Sequence, residues 1–213
     1  MTTPAALLLL ADGRLPAGGY AHSGGLEHAV STGSVADLHD LESFLRGRLQ
    51  SCGMLVAGLA AAAWSARDAT ALGVLDVECD ACTPSPAQRA TSRSQGRSLL
   101  RLASRMWPGR RWSELPTAPH HCVALGALVR VVDGSQQDAA LLAALGAITG
   151  PASAAVRLMS LDPVEVQVLL AELTPLVEEL AVEAVLRPRR PGSVLLDLLA
   201  EAHAGAELRL FAS

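Results

Sequence analysis

Met54-Leu-Val-Ala-Gly-Leu-Ala-Ala-Ala-Ala-Trp64 is an uninterrupted apolar run. Its alanines and leucines are strong helix formers. A helix apolar around its whole circumference has to be buried on every side. Its 11 residues are well short of the roughly 18–20 needed to cross a bilayer. The run therefore reads as the central helix of a protein core, and its alanines would let neighbouring helices approach closely.

Helical spacing extends outward from it in both directions. Upstream, Asp37 suits an N-cap for a helix with Leu38, Leu41, Leu45 and Leu49 on one face, ending before Gly53. Downstream, a helix covers about Ala69 to Ala81. Ser85-Pro86-Ala87-Gln88 then provides a start signal, with a cap, a first-turn proline and a glutamine able to close a capping box. That helix reaches Trp107 before Pro108. A polar loop over Pro108–Pro119 leads to a helix at His120–Val132, stopped by Asp133-Gly134. Further helices are expected at Gln137–Ile148, Ser153–Met159 and Val164–Leu173, with Thr174-Pro175 restarting another. Arg187–Gly192 is a linker, and Ser193 caps a last helix to about Ala204. No strand alternation or internal repeat occurs. The expected fold is all-α: one domain over residues 1–213 with about ten helices, which includes an N-terminal helix and Gly-rich loop (1–25) and a C-terminal tail (205–213).

Composition narrows the chemistry. Among 213 residues there are 38 alanines and 37 leucines, and all 17 basic residues are arginine. Without lysine, neither a Walker A phosphate loop nor a Schiff base can form. A formal net charge of −4 offers no general attraction to nucleic acid or an anionic membrane. Four cysteines in a chain of this length do not make a disulfide scaffold. The apolar Pro4–Ala11 run has no preceding positive charge and is short for a signal core. The expectation is a soluble, cytoplasmic protein.

Several residue groups could carry chemistry. Cys79-Asp80-Ala81-Cys82 is a lone CxxC with no second pair to complete a tetrahedral site, so buried cysteine is the simpler reading. In His120-His121-Cys122, helical neighbours lie about 100° apart and cannot converge on one ion. Metal contact there needs irregular backbone or another chain. Arg89, Arg93, Arg97, Arg101 and Arg105 form a basic ridge, by default a solvated face and alternatively a docking face for an acidic partner. Leu15–Glu27 concentrates glycines with Tyr20 and His22 and suits a recognition loop. Nucleophilic chemistry by Ser23 with His22 would need the two adjacent side chains to face one another and an acid to orient the histidine.

Five motifs in order resemble the UreF family of urease accessory proteins. They are LPAGGYAHSGGLEHAV (Leu15–Val30), QGRSLLRL (Gln95–Leu102), HHCVALG (His120–Gly126), AAVRLMSL (Ala154–Leu161), and His203 with ELRLFAS (Glu207–Ser213). Leu161-Asp162-Pro163 departs from the Leu-Gly-Gln with which the family often continues. The resemblance implies an all-α scaffold, usually dimeric, with no catalytic activity and no cofactor of its own. It would join a UreG-type GTPase and a UreD/UreH-type accessory protein on apo-urease and modulate GTP-dependent nickel delivery. By the same resemblance Tyr20, His22, Ser23, Glu27, Gln95, Gly96 and Ser98 lie at or support the GTPase-facing surface, with Gly25 and Leu26 beside them as partner-contact candidates. Arg157, His203, Arg209 and Phe211 belong to the docking or dimer surface, and Arg89, His120 and His121 are further partner-contact candidates. A nickel-binding metallochaperone using the His and Cys residues is the alternative, and a small all-α hydrolase a more distant one.

Overall fold

A computed structural model describes residues 5–16, 22–109, 112–206 and 210–211. Ten α-helices make up the described chain: α1 (Ala5–Ala11), α2 (Leu26–Ser31), α3 (Leu38–Arg48), α4 (Met54–Ser65), α5 (Ala69–Ala81), α6 (Pro86–Met106), α7 (His121–Val131), α8 (Gln136–Met159), α9 (Pro163–Leu186) and α10 (Val194–Ala204). No strand occurs among the described residues. The fold is all-α. A π-helical turn, Leu49–Gly53, joins α3 to α4.

The apolar helix α4 lies at the centre, packed against α7, α8 and α9. It is apolar all round because it faces two cores. Met54, Ala57 and Ala61 enter one core, shared with α2, α3, α8, α9 and α10. Leu55, Leu59, Ala60 and Ala63 enter the other, shared with α1, α5, α6 and α7. Close approach to α7 depends on Gly126, where an added Cβ would lie 2.1 Å from the Ala60 carbonyl oxygen. Helix α8 is long and apolar enough to span a membrane, but 56% of its apolar window is buried, as in a core helix.

Caps at the expected places start several helices. Asp37 accepts from the Asp40 amide at 2.9 Å, and Ser193 from the Leu196 amide at 3.4 Å. Ser85 accepts from the Gln88 amide at 3.1 Å. The Gln88 side chain does not close the expected capping box. It donates instead to Asp197 of α10 at 3.1 Å, and the Ser85 amide donates to the same carboxylate at 3.2 Å. The Ser85 hydroxyl also donates to Glu201, so the start of α6 is held by α10.

Two prolines expected to divide helices do not. Helix α8 runs through Pro151 and α9 through Pro175. A proline lacks the N–H that would bond the carbonyl four residues earlier. In α9 that carbonyl belongs to Ala171 and accepts from the Thr174 hydroxyl at 2.7 Å. In α8 it belongs to Ala147 and accepts from the Arg48 Nε at 2.7 Å. Each helix continues because a side chain replaces the missing donor.

Candidate functional site

Motifs at opposite ends of the chain meet around the C-terminal tail. Glu27, on the short helix α2, accepts the Leu210 amide at 2.7 Å through one oxygen and the Phe211 amide at 3.0 Å through the other. His203, near the end of α10, donates through Nε2 to the Phe211 carbonyl at 3.0 Å and lies 3.4 Å from the Glu27 carboxylate. The Arg157 guanidinium on α8 sits 4.4 Å from the centre of the Phe211 ring, a cation–π contact. Four candidate residues from three motifs thus form one cluster. His203 and Phe211 are buried, so the contact between them anchors the Leu210–Phe211 segment against α10.

A second cluster surrounds His120, at the N-terminal boundary of α7. Its ring is fully buried between Ser92 Oγ at 3.0 Å and Asp80 at 2.9 Å. Its amide donates to Asp76 at 2.7 Å. Arg93 joins both acids, with 2.9 Å to Asp76, and donates to the Ala118 carbonyl at 2.6 Å. Burial works against a charged imidazolium, but contacts with Cys79 and Asp80 outweigh it and raise the His120 pKa. Burial also works against the Asp80 carboxylate, and hydrogen bonds from His120 and Arg93 hold its pKa below the ordinary value. Gly96 permits this arrangement, since a Cβ there would lie 1.9 Å from the Pro119 carbonyl oxygen.

His121 points elsewhere. It lines a cavity of about 350 Å³ together with His22, Gln95 and the four cysteines Cys52, Cys79, Cys82 and Cys122. Desolvation, with a smaller contribution from the charge of nearby His22, lowers its pKa to about 4. The paired histidines therefore diverge in role: His120 favours the charged form and His121 the neutral one. Cys79 and Cys122 approach to 3.7 Å between sulfurs. Contact with the Cys122 thiol, then burial, pushes the Cys79 thiol well above its usual range, and burial raises Cys82. Thiols held protonated are poor ligands. Among the described residues no three His, Cys, Asp or Glu side chains converge to hold a metal ion.

The remaining candidates fall in different places. Tyr20 and Arg209 lie outside the described residues. Gly25, with φ of 91°, and Leu26 are buried where α2 begins, packed toward α10. Ser23 Oγ is buried with no hydrogen-bond partner among the described residues, so no base stands against it for nucleophilic chemistry. The arginine ridge divides. Arg89 turns inward to the Thr83 and Pro84 carbonyls at 2.7 and 2.9 Å, and Arg93 belongs to the His120 cluster. Arg97, Arg101 and Arg105 are exposed, and the first two line a shallow groove with Ser98.

Arg48 carries a function that sequence reasoning missed. Besides the Ala147 carbonyl it donates to the Gly24 carbonyl at 2.8 Å, tying the Gly-rich segment to the turn of α8 that precedes Pro151. Local sequence contains no signal for a partner 99 positions away.

A family model described as UreF matches residues 35–174. Urease accessory proteins UreF of Mycobacterium sp. (strain JLS), Mycolicibacterium vanbaalenii and Mycobacterium marinum are 44%, 45% and 45% identical to the chain, each over the full length of both proteins. The chain belongs to the UreF family. The family-model match contains the His120 cluster and Arg157 but stops short of both partners that clamp the tail, Glu27 and His203. The full-length similarity to other UreF proteins spans all of them.

Proposed function

We propose that the chain is a non-catalytic urease accessory protein that scaffolds a GTPase and a second accessory protein on apo-urease. In that assembly it modulates GTP-dependent delivery of nickel, the cargo of the complex rather than a resident cofactor. The observation that carries this reading is the 44–45% identity, over whole chains, to proteins named urease accessory protein UreF. The absence of lysine supports assigning nucleotide hydrolysis to a partner, because the chain cannot build a Walker A loop. The same reading places the protein in the cytoplasm as a homodimer, with no need for a membrane or nucleic acid.

Within this function, the segment around His22 and the exposed part of α6, with Gln95 and Ser98, face the GTPase. The clamped tail, with Arg157, His203 and Phe211, faces the second accessory protein. Glu27 belongs with the tail rather than the GTPase side, because its two oxygens bond the amides of Leu210 and Phe211. Reconstitution tests the proposal. The chain is co-purified with a UreG-type GTPase, a UreD/UreH-type protein and apo-urease, and GTP hydrolysis and urease activation are measured with and without it. Complex formation and activation that depend on the chain are expected, with no turnover by the chain alone. Equal activation in its absence would overturn the proposal.

A further inference from the structure

The outer face of α9 carries a long row of exposed apolar side chains. Val164, Val168, Val182 and Leu186 are 67%, 53%, 46% and 73% exposed, and Ala171 and Pro175 between them are exposed as well. At 100° per residue these six positions fall within about 60° of arc, and they run about 33 Å along the helix. That is an apolar seam with the three-and-four spacing of a helix-docking face. Its continuity survives Pro175 because Thr174 bonds the freed Ala171 carbonyl.

Charge lies along one flank of the seam. Glu165, Glu172 and Glu179 recur every seventh residue, 60–100° around the helix from Val164, and all three are exposed. Glu178 lies on the opposite flank. None of these four glutamates forms an ion pair among the described residues, whereas Glu183 is paired with Arg189 at 2.8 Å. Helix α9 contains no basic residue.

We propose that this face binds a partner protein through an amphipathic helix with an apolar seam and a flank of arginine or lysine. Charge complementarity selects that occupant. A second copy of α9 would set the glutamate row beside glutamates with no cation from the helix itself between them, and an anionic lipid surface would be repelled in the same way. The seam supplies burial, and the glutamate row selects the sign of the partner's charge. The proposal concerns a surface remote in sequence from the His22 and His120 motifs and does not depend on the role in urease maturation.

Two synthetic helical peptides with the same leucine seam, one flanked by arginine and the other by glutamate, test it on the full chain by fluorescence anisotropy at low salt. The arginine peptide is expected to bind at least about tenfold more tightly, and salt should weaken it. Val168→Asp, at an exposed site that leaves circular dichroism unchanged, should abolish binding. The triple variant Glu165→Lys, Glu172→Lys, Glu179→Lys should transfer preference to the glutamate peptide, a readout that misfolding would not produce. Equal binding of both peptides, or binding of neither, would overturn the proposal. So would sedimentation showing a wild-type dimer that Val168→Asp dissociates, or flotation with phosphatidylserine vesicles that the same change abolishes.

Discussion

Replacing Gly96 with alanine inserts a single methyl group where α6 meets the segment leading into α7. The added Cβ would lie 1.9 Å from the Pro119 carbonyl oxygen, 2.9 Å from its carbon and 3.1 Å from the His120 carbonyl carbon. Relief requires α6 to withdraw by roughly 1 Å, since a carbon and an oxygen cannot approach much below 3 Å. Both partners are backbone, so no flexible side chain can yield. The same withdrawal lengthens the bonds from Ser92 to the His120 ring, at 3.0 Å, and from Arg93 to the Ala118 carbonyl, at 2.6 Å. Overpacking costs about 1–3 kcal/mol. Two weakened hydrogen bonds add about 1 kcal/mol each. Less the helix-propensity gain of about 1 kcal/mol that alanine brings, the expected loss is about 2–4 kcal/mol, a large fraction of the stability of a typical domain. Urea titration followed at 222 nm measures it. Gly47→Ala, in α3 with nothing within 4 Å of the new Cβ, is the matched control. Helix propensity alone predicts that the control gains up to about 1 kcal/mol. If Gly96→Ala unfolds within about 0.5 kcal/mol of the parent, the close approach of α6 to Pro119 is not what positions His120.

Three other outcomes follow from the geometry. Arg48→Ala should destabilise the protein by about 2–4 kcal/mol, because it strands the Ala147 and Gly24 carbonyls; an unchanged urea midpoint would show that water replaces both bonds without cost. Glu27→Gln should speed hydrogen exchange at the Leu210 and Phe211 amides by about tenfold or more, since one carboxylate oxygen becomes a donor facing a donor; exchange as slow as in the parent would mean that another group clamps the tail. Stability should peak near neutral pH. The raised pKa of His120 contributes stability that is present below its unfolded value and lost as pH rises through the folded one. His121, lowered to about 4, has the opposite effect, because the unfolded chain binds its proton first and stability falls as pH drops from about 6.5 toward 4. His121→Gln should flatten the acid limb of a pH–stability curve, and an identical limb in the variant would assign acid loss elsewhere.

Much of the all-α architecture is legible in the chain because its signals are local. An apolar run without polar interruption must be buried, and Met54–Trp64 became the helix shared by two cores. Caps act over three residues, so Asp37, Ser85 and Ser193 were readable as helix starts. What only the tertiary structure decided depends on groups far apart in sequence. The prolines at 151 and 175 read as helix breaks because the chain shows the missing donor. A local substitute at Thr174 and a distant one at Arg48 both rescue the helix. Gln88 was expected to bond its own helix start, but Asp197 of α10 took that side chain. The two histidines of one motif take opposite electrostatic roles, His120 through its contacts with Cys79 and Asp80 and His121 through burial, which adjacency in sequence cannot express. The union of Glu27 with Phe211 crosses 184 positions. Periodicity and capping are properties of neighbouring residues, and the sequence by itself determined the helices through them. The pairing of polar groups depends on which helices the two cores bring together, and that required the folded chain.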